Sequence, residues 1–196
     1  MADLHIEHPR AYLSGCLHGD AWLNNALCLK VADRDFAEAF QAAIQEGFSV
    51  QCPLGRCDRG YWLVKKWNGW GRFDGLKSLV PQGIGELGAW MRGFFDSEGT
   101  AHCHHLGDAR GPYCYDRKVA MFSTELETLE KAKAILADLG MESNIRSVKL
   151  SRGHLGTKPM FTLRLVGGRE QYKTFDTCVG STIERKRVKL REMWTT

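Results

Sequence analysis

Two stretches of this 196-residue chain end in a carboxylate set up in the same way. Leu13-Ser-Gly-Cys-Leu-His-Gly-Asp20 and Met91-Arg-Gly-Phe-Phe-Asp-Ser-Glu98 each have glycine at the third place, a small residue at the seventh and an acid at the eighth. A pair of acids suits a hard divalent cation, and such a cation can activate water and steady a leaving oxygen in phosphodiester hydrolysis. A lone carboxylate after a helix is ordinarily only a polar residue. Recurrence at matched positions of a repeat makes Asp20 and Glu98 a candidate pair.

If two such acids serve one centre, the helices that precede them must approach closely, which only small facing residues permit. Gly15, Gly19, Gly93 and Ser97 are the candidates for that interface. Helical spacing is present in both places: Leu13, Cys16 and Leu17 follow Pro9, and Leu87, Trp90, Met91, Phe94 and Phe95 fall at i, i+3, i+4, i+7 and i+8.

The segments downstream of the two acids repeat as well. After Asp20, alternation predicts two strands joined at Asn24-Asn25, then a helix from Asp33 with Phe36, Phe40, Ala43 and Ile44 on one stripe, ending at Gly47. A strand pair, Phe48 to Leu54 and Tyr61 to Trp67, and a weaker helix around Gly71 to Leu79 complete that half. After Glu98 come strands near Thr100 to Leu106 and Lys118 to Ser123, then a helix carrying Leu129, Ala132, Leu136 and Leu139 and closed by Gly140. Strands at Glu142 to Ser151 and Lys158 to Val166, a helix from Glu170 and a basic terminal segment finish the chain. The period from Asp20 to Glu98 is 78 residues. The sequence therefore predicts an α+β duplication of αββαββα halves, 1–82 and 83–196.

Composition is compatible with this and decides little by itself. There are 27 basic and 23 acidic residues, a net charge of +4, and 43% hydrophobic residues. No apolar run approaches the roughly 20 residues of a membrane span, and the opening lacks the apolar core of a signal peptide. Seven cysteines, an odd number at irregular spacing, point to a reducing compartment. The expectation is a soluble intracellular monomer that does not engage membranes.

The paired motif resembles that of the LAGLIDADG homing endonucleases, in the single-chain form whose two halves mimic a homodimer. The resemblance covers nearly the whole chain. It implies two curved antiparallel sheets forming a DNA-binding saddle around a two-helix interface. Carried over by position, it makes Asp20 and Glu98 the metal-binding catalytic acids, with the carbonyls of Gly19 and Ser97 as further metal ligands. It also implies magnesium as cofactor, with manganese or calcium able to bind, and a double-strand break in a long DNA target with short 3′ overhangs. His18 stands where the motif usually has Asp, Ala21 where it has Gly and Arg92 where a small residue is common. None of these removes an acid. The family's solvent-organising glutamines fall at Asp33 and Thr124. Lys186 or Arg185 is the candidate for its basic helper, with a solvated basic tail as the plainer role for both. An intron RNA maturase and a non-cleaving DNA-binding regulator are the alternative functions on the same scaffold.

Strand alternation nominates the DNA-reading side chains. Phe161, Leu163 and Leu165 point one way and Lys158, Thr162 and Arg164 the other. The same parity exposes Lys65, while Lys30 and Lys118 extend the basic set, and Ser147, Lys149 and Ser151 alternate with Val148 and Leu150. Arg164 is the candidate for base readout, and Arg187, in the run IERKRVKLR, for phosphate contact. His102 and His104 share one strand face and alternate with Cys103 and His105. Together with Cys114 and the Cys52–Cys57 segment they raise a zinc reading, although their spacing matches no common finger. Trp22, Tyr61 and Trp67 are expected to pack in the core.

Overall fold

Pro9 opens the first helix, α1 (Pro9–Leu17), where its missing N–H forfeits no intrahelical bond. The structure, a computed structural model, describes residues 6–105, 115–148 and 159–195. The strands β1 (Ala21–Leu23) and β2 (Ala26–Val31) form the hairpin around Asn24-Asn25, followed by α2 (Arg34–Phe48), β3 (Leu54–Arg56), β4 (Trp62–Trp67) and α3 (Gly83–Glu98). The second series is β5 (Gly99–His105), β6 (Tyr115–Ser123), α4 (Leu126–Asp138), β7 (Ser143–Val148) and β8 (Met160–Leu165), then α5 (Arg169–Cys178) and α6 (Glu184–Thr195).

Each series makes a four-stranded antiparallel sheet, ordered β1-β2-β4-β3 in the first and β5-β6-β8-β7 in the second. The two orders are the same pattern repeated. The chain gathers into two compact units, Met1–Ser97 with Ser181–Glu184, and Glu98–Gly180 with Arg185–Thr196. The repeat boundary and the packing boundary differ, because α3 opens the second series yet packs on α1.

In the first unit one sheet face is covered by α2, whose Phe36, Phe40, Ala43 and Ile44 are buried against Leu27, Leu29 and Val64. Each large apolar side chain so buried contributes roughly 1.5–3 kcal/mol. In the second unit α4 does the same, with Leu129, Ala132 and Leu136 buried along with Val119, Met121 and Leu163. Among the described residues, no helix is long and apolar enough to cross a membrane.

Several expectations need correction. The segment 71–79 is a series of turns, because Gly71 and Gly75 have φ of 64° and 75° and Trp70 has φ of 60°, all left-handed. Asn68 organises it, accepting from Phe73 N at 2.9 Å and donating to Asp74 Oδ1 at 3.0 Å. The first strand of the second pair begins at Leu54, since α2 runs on to Phe48 and ends on left-handed Ser49. Trp22, Tyr61 and Trp67 are exposed, because they alternate with the core-facing residues of their strands.

The parity of β7 is also reversed: Ser147 pairs with Phe161 and Ile145 with Leu163, so Asn144 and Arg146 share the face of Arg164. Thr162 lies on that face too but is only 3% exposed. Phe122 and Arg146 flank it on the neighbouring strands, and longer side chains there cover a short one.

Candidate metal centre and nucleic-acid interface

The helices α1 and α3 meet at their glycines. A β-carbon on Gly15 would strike the carbonyl oxygen of Trp90 and lie 2.9 Å from Phe94 N, and one on Gly93 would strike the carbonyl oxygen of Tyr12 and lie 3.0 Å from Cys16 N. Backbone touches backbone, an approach available only to residues without side chains. Gly19 lies in the turn after α1, half-buried, its N–H on Cys16 O at 3.0 Å. Ser97 is half-buried within α3 and bonds back to Gly93 O at 3.1 Å.

The acids come just after these crossings. Asp20 closes the three-residue turn after α1 and is exposed, and Glu98 is the last residue of α3 and half-buried. Carbonyls in a helix's last turn have no intrahelical donor, and the helix dipole makes that end attractive to cations. Carboxylates beside such carbonyls are hard oxygen donors, the chemistry magnesium, manganese and calcium take. Among the described residues, no three His, Cys, Asp or Glu side chains gather as a self-sufficient metal cage. A cation there would also need carbonyl, water or phosphate oxygens.

Sequence reasoning passed over Asp96, two residues before Glu98. It is 2% exposed and accepts hydrogen bonds from Tyr12 OH at 3.1 Å, Thr182 Oγ1 at 2.7 Å, the Thr182 N–H at 3.2 Å and the Ser181 hydroxyl. Those bonds fasten the segment that leads into α6. Burial chiefly, and then the Asp96 charge, push the Tyr12 phenol and the Cys16 thiol well above their ordinary ranges, with Asp20 adding to the effect on Cys16. At the matching place in the first motif stands His18, whose Nε2 lies 3.1 Å from Lys77 O. A carbonyl can only accept, so Nε2 carries the proton. The two sixth positions thus each tie down a connecting segment, by opposite hydrogen-bond polarity. The departure from Asp at His18 was the available signal.

The candidate basic helper, Lys186, is only 4% exposed. It shares the buried stripe of α6 with Leu190 and Met193, at i, i+4 and i+7, whereas Arg185, Arg187 and Arg191 are exposed. The solvated-tail role therefore fails for Lys186, whose position on the helix turns it inward. Trp194 Nε1 donates to Asp176 Oδ2 at 2.9 Å and docks α6 on α5.

On the second sheet, His102, His104, Lys118, Arg164 and Arg146 occupy the face opposite α4. Lys118 has its amine 5.3 Å from the Phe122 ring, and burial first, then the Arg164 charge, lower its pKa. His102 Nε2 is 3.7 Å from Asp116 Oδ2. On the first sheet Lys30 and Lys65 are exposed on the face away from α2. Lys149, Lys158, Ser151 and Cys114 lie outside the described residues.

Residues 86–180 match the LAGLIDADG-like domain. This chain carries a LAGLIDADG-like domain. The fold agrees over most of its length with the homing endonuclease I-DmoI in complex with DNA and Ca, at a TM-score of 0.63, with 14% identity, 95% of this chain and 98% of that one covered. It agrees also with full-length DUF199/WhiA from Thermatoga maritima, at a TM-score of 0.60 and 14% identity, covering 97% of this chain and 61% of that one. An uncharacterised protein of Methanocaldococcus jannaschii is 25% identical over 170 residues, 76% of this chain. The match spans 61% of that relative's length. The LAGLIDADG scaffold is thus shared with a nuclease and with WhiA, and the duplicated αββαββ order belongs to it.

Proposed function

We propose that this chain is a divalent-metal-dependent endonuclease that makes a double-strand break at a long duplex DNA site, leaving short 3′ overhangs. The observation that carries the reading is the reciprocal glycine crossing of α1 and α3, with an acid five residues beyond each crossing glycine. Asp20 and Glu98 hold the cation, magnesium first and manganese or calcium as substitutes, with the carbonyls of Gly19 and Ser97 as added ligands. When bound, it supplies a water of lowered pKa and positive charge for the leaving oxygen. Asp96 and His18 hold the connecting segments, and the lysines and arginines of the two sheets orient the duplex. I-DmoI has been crystallised in complex with DNA and Mn, which favours DNA as the partner here. Lys186, buried on α6, is the candidate basic helper of the reaction.

Incubating the protein and magnesium with a randomised duplex library, then sequencing the cut ends, tests the reading. Magnesium-dependent paired cuts with 3′ extensions are expected. Site-specific binding without cutting would instead favour the regulator, and retention of both acids speaks against that outcome.

A further inference from the structure

The face of the first sheet turned away from α2 carries exposed aromatic side chains. Cross-strand register puts Trp22, Cys28 and Lys65 in one row, Ala26 and Trp67 in the next, and Lys30 beside Leu63 in a third. Tyr61 continues the same alternation, with the Lys30 ammonium 5.5 Å from its ring centroid. Trp67 is 65% exposed, and Trp22 and Tyr61 are exposed as well. Just beyond β4, Trp70 is fully exposed and has left-handed backbone at φ 60°, a conformation that penalises any residue with a β-carbon. The rows hold lysines and no carboxylate.

The chemistry of this face differs from that of the second sheet. There, Arg164, Arg146, His102 and His104 offer donors and acceptors of the kind that read base edges along a paired duplex. An indole or phenol ring offers a broad π-face instead, and a base can stack on it only when it has left its own stack. Rings interleaved with lysines are therefore matched to unpaired bases joined by phosphates. Apart from the Tyr61 phenol, the rows lack any side-chain hydroxyl, amide or carboxylate to engage a ribose 2′-OH, which favours DNA over RNA.

We propose that this face binds single-stranded DNA, stacking successive bases on Trp22, Tyr61, Trp67 and Trp70 and holding phosphates at Lys30 and Lys65. The proposal does not require cleavage, and because Lys30 and Lys65 are also assigned to the duplex, single strand and duplex compete for this face.

The test is fluorescence anisotropy of a labelled oligothymidine of about 16 nucleotides with the full chain in EDTA. Trp67→Ala and Trp70→Ala should each weaken binding about tenfold, Trp67→Phe should retain most of it, and Lys65→Ala should flatten its salt dependence. An abasic strand of equal length should bind at least tenfold more weakly. Equal binding by wild type and both alanine variants, or by the abasic strand, would overturn the proposal. So would tighter binding of the matching RNA, or a dimer that Trp67→Ala dissolves, which would assign the face to a second copy. With no metal and no duplex present, failure here leaves the nuclease reading intact, and failure of cleavage leaves this one intact.

Discussion

Gly15 and Gly93 are reciprocal halves of one helix crossing. A β-carbon on Gly15 meets the carbonyl of Trp90, one on Gly93 meets that of Tyr12, and each pair is related to the other by the same 78-residue step. A pseudo-twofold relation is thereby written into backbone contact.

Because the colliding atoms are main-chain carbonyls, neither helix can yield by rotating a side chain. Gly15→Ala and Gly93→Ala should each destabilise the fold by roughly 3 kcal/mol or more, at the upper end of overpacking costs. For a chain of this length each kcal/mol lowers the Tm by about 2–4 °C, so thermal unfolding should show a fall of roughly 6–12 °C. A Tm within a degree of wild type would contradict the crossing.

Stability at alkaline pH depends on the buried polar cluster. The unfolded chain releases the Cys16 proton near pH 9.0 and the Tyr12 proton near 10.0, whereas the folded protein keeps both to higher pH. The native state then binds more protons than the unfolded one, so this stabilisation is complete below about pH 9 and is lost as pH rises toward the folded values, at about 1.4 kcal/mol per pH unit for each group. Urea unfolding between pH 10 and 11 should therefore show a shallower decline for Tyr12→Phe than for wild type. Parallel slopes would show that Tyr12 does not carry its proton as described.

Arg164 and Arg187 should fail differently. Arg164 lies exposed in the second sheet, between Ala120 and Asn144, and Arg187 lies on the exposed side of α6. Arg164→Ala should relax preference at a few base positions, worth about 1–3 kcal/mol of discrimination. Arg187→Ala should weaken all sequences alike and reduce the salt slope by about one. Site selection combined with salt titration separates them, and identical profiles would refute the assignment.

The duplicated order was legible because helix and strand periods are local: Phe36, Phe40 and Ile44 declare a buried stripe without any tertiary knowledge. The motif glycines were legible because only a close approach explains glycine in mid-helix. Burial by neighbours was not. Thr162 has the outward parity of Arg164, yet Phe122 and Arg146 cover it, and nothing in its own strand says so. Lys186 was the candidate basic helper with a solvated tail as its plainer role, and the helix phase of Leu190 and Met193 turns it inward. Trp22 and Trp67 went the other way, since hydrophobicity argued for the core while alternation with Leu23 and Lys66 put them on the open face. Asp96 was visible in the motif, but its partners lie 84 residues upstream at Tyr12 and 85 and 86 residues downstream at Ser181 and Thr182.

The most direct test of the central claim compares wild type, Asp20→Asn and Glu98→Gln on one selected duplex, measuring binding and magnesium-dependent strand cleavage side by side. Both substitutions replace a cation-holding oxygen with an amide while preserving shape, so cutting should vanish and affinity should stay within about tenfold. Wild-type cutting by either variant would contradict the account.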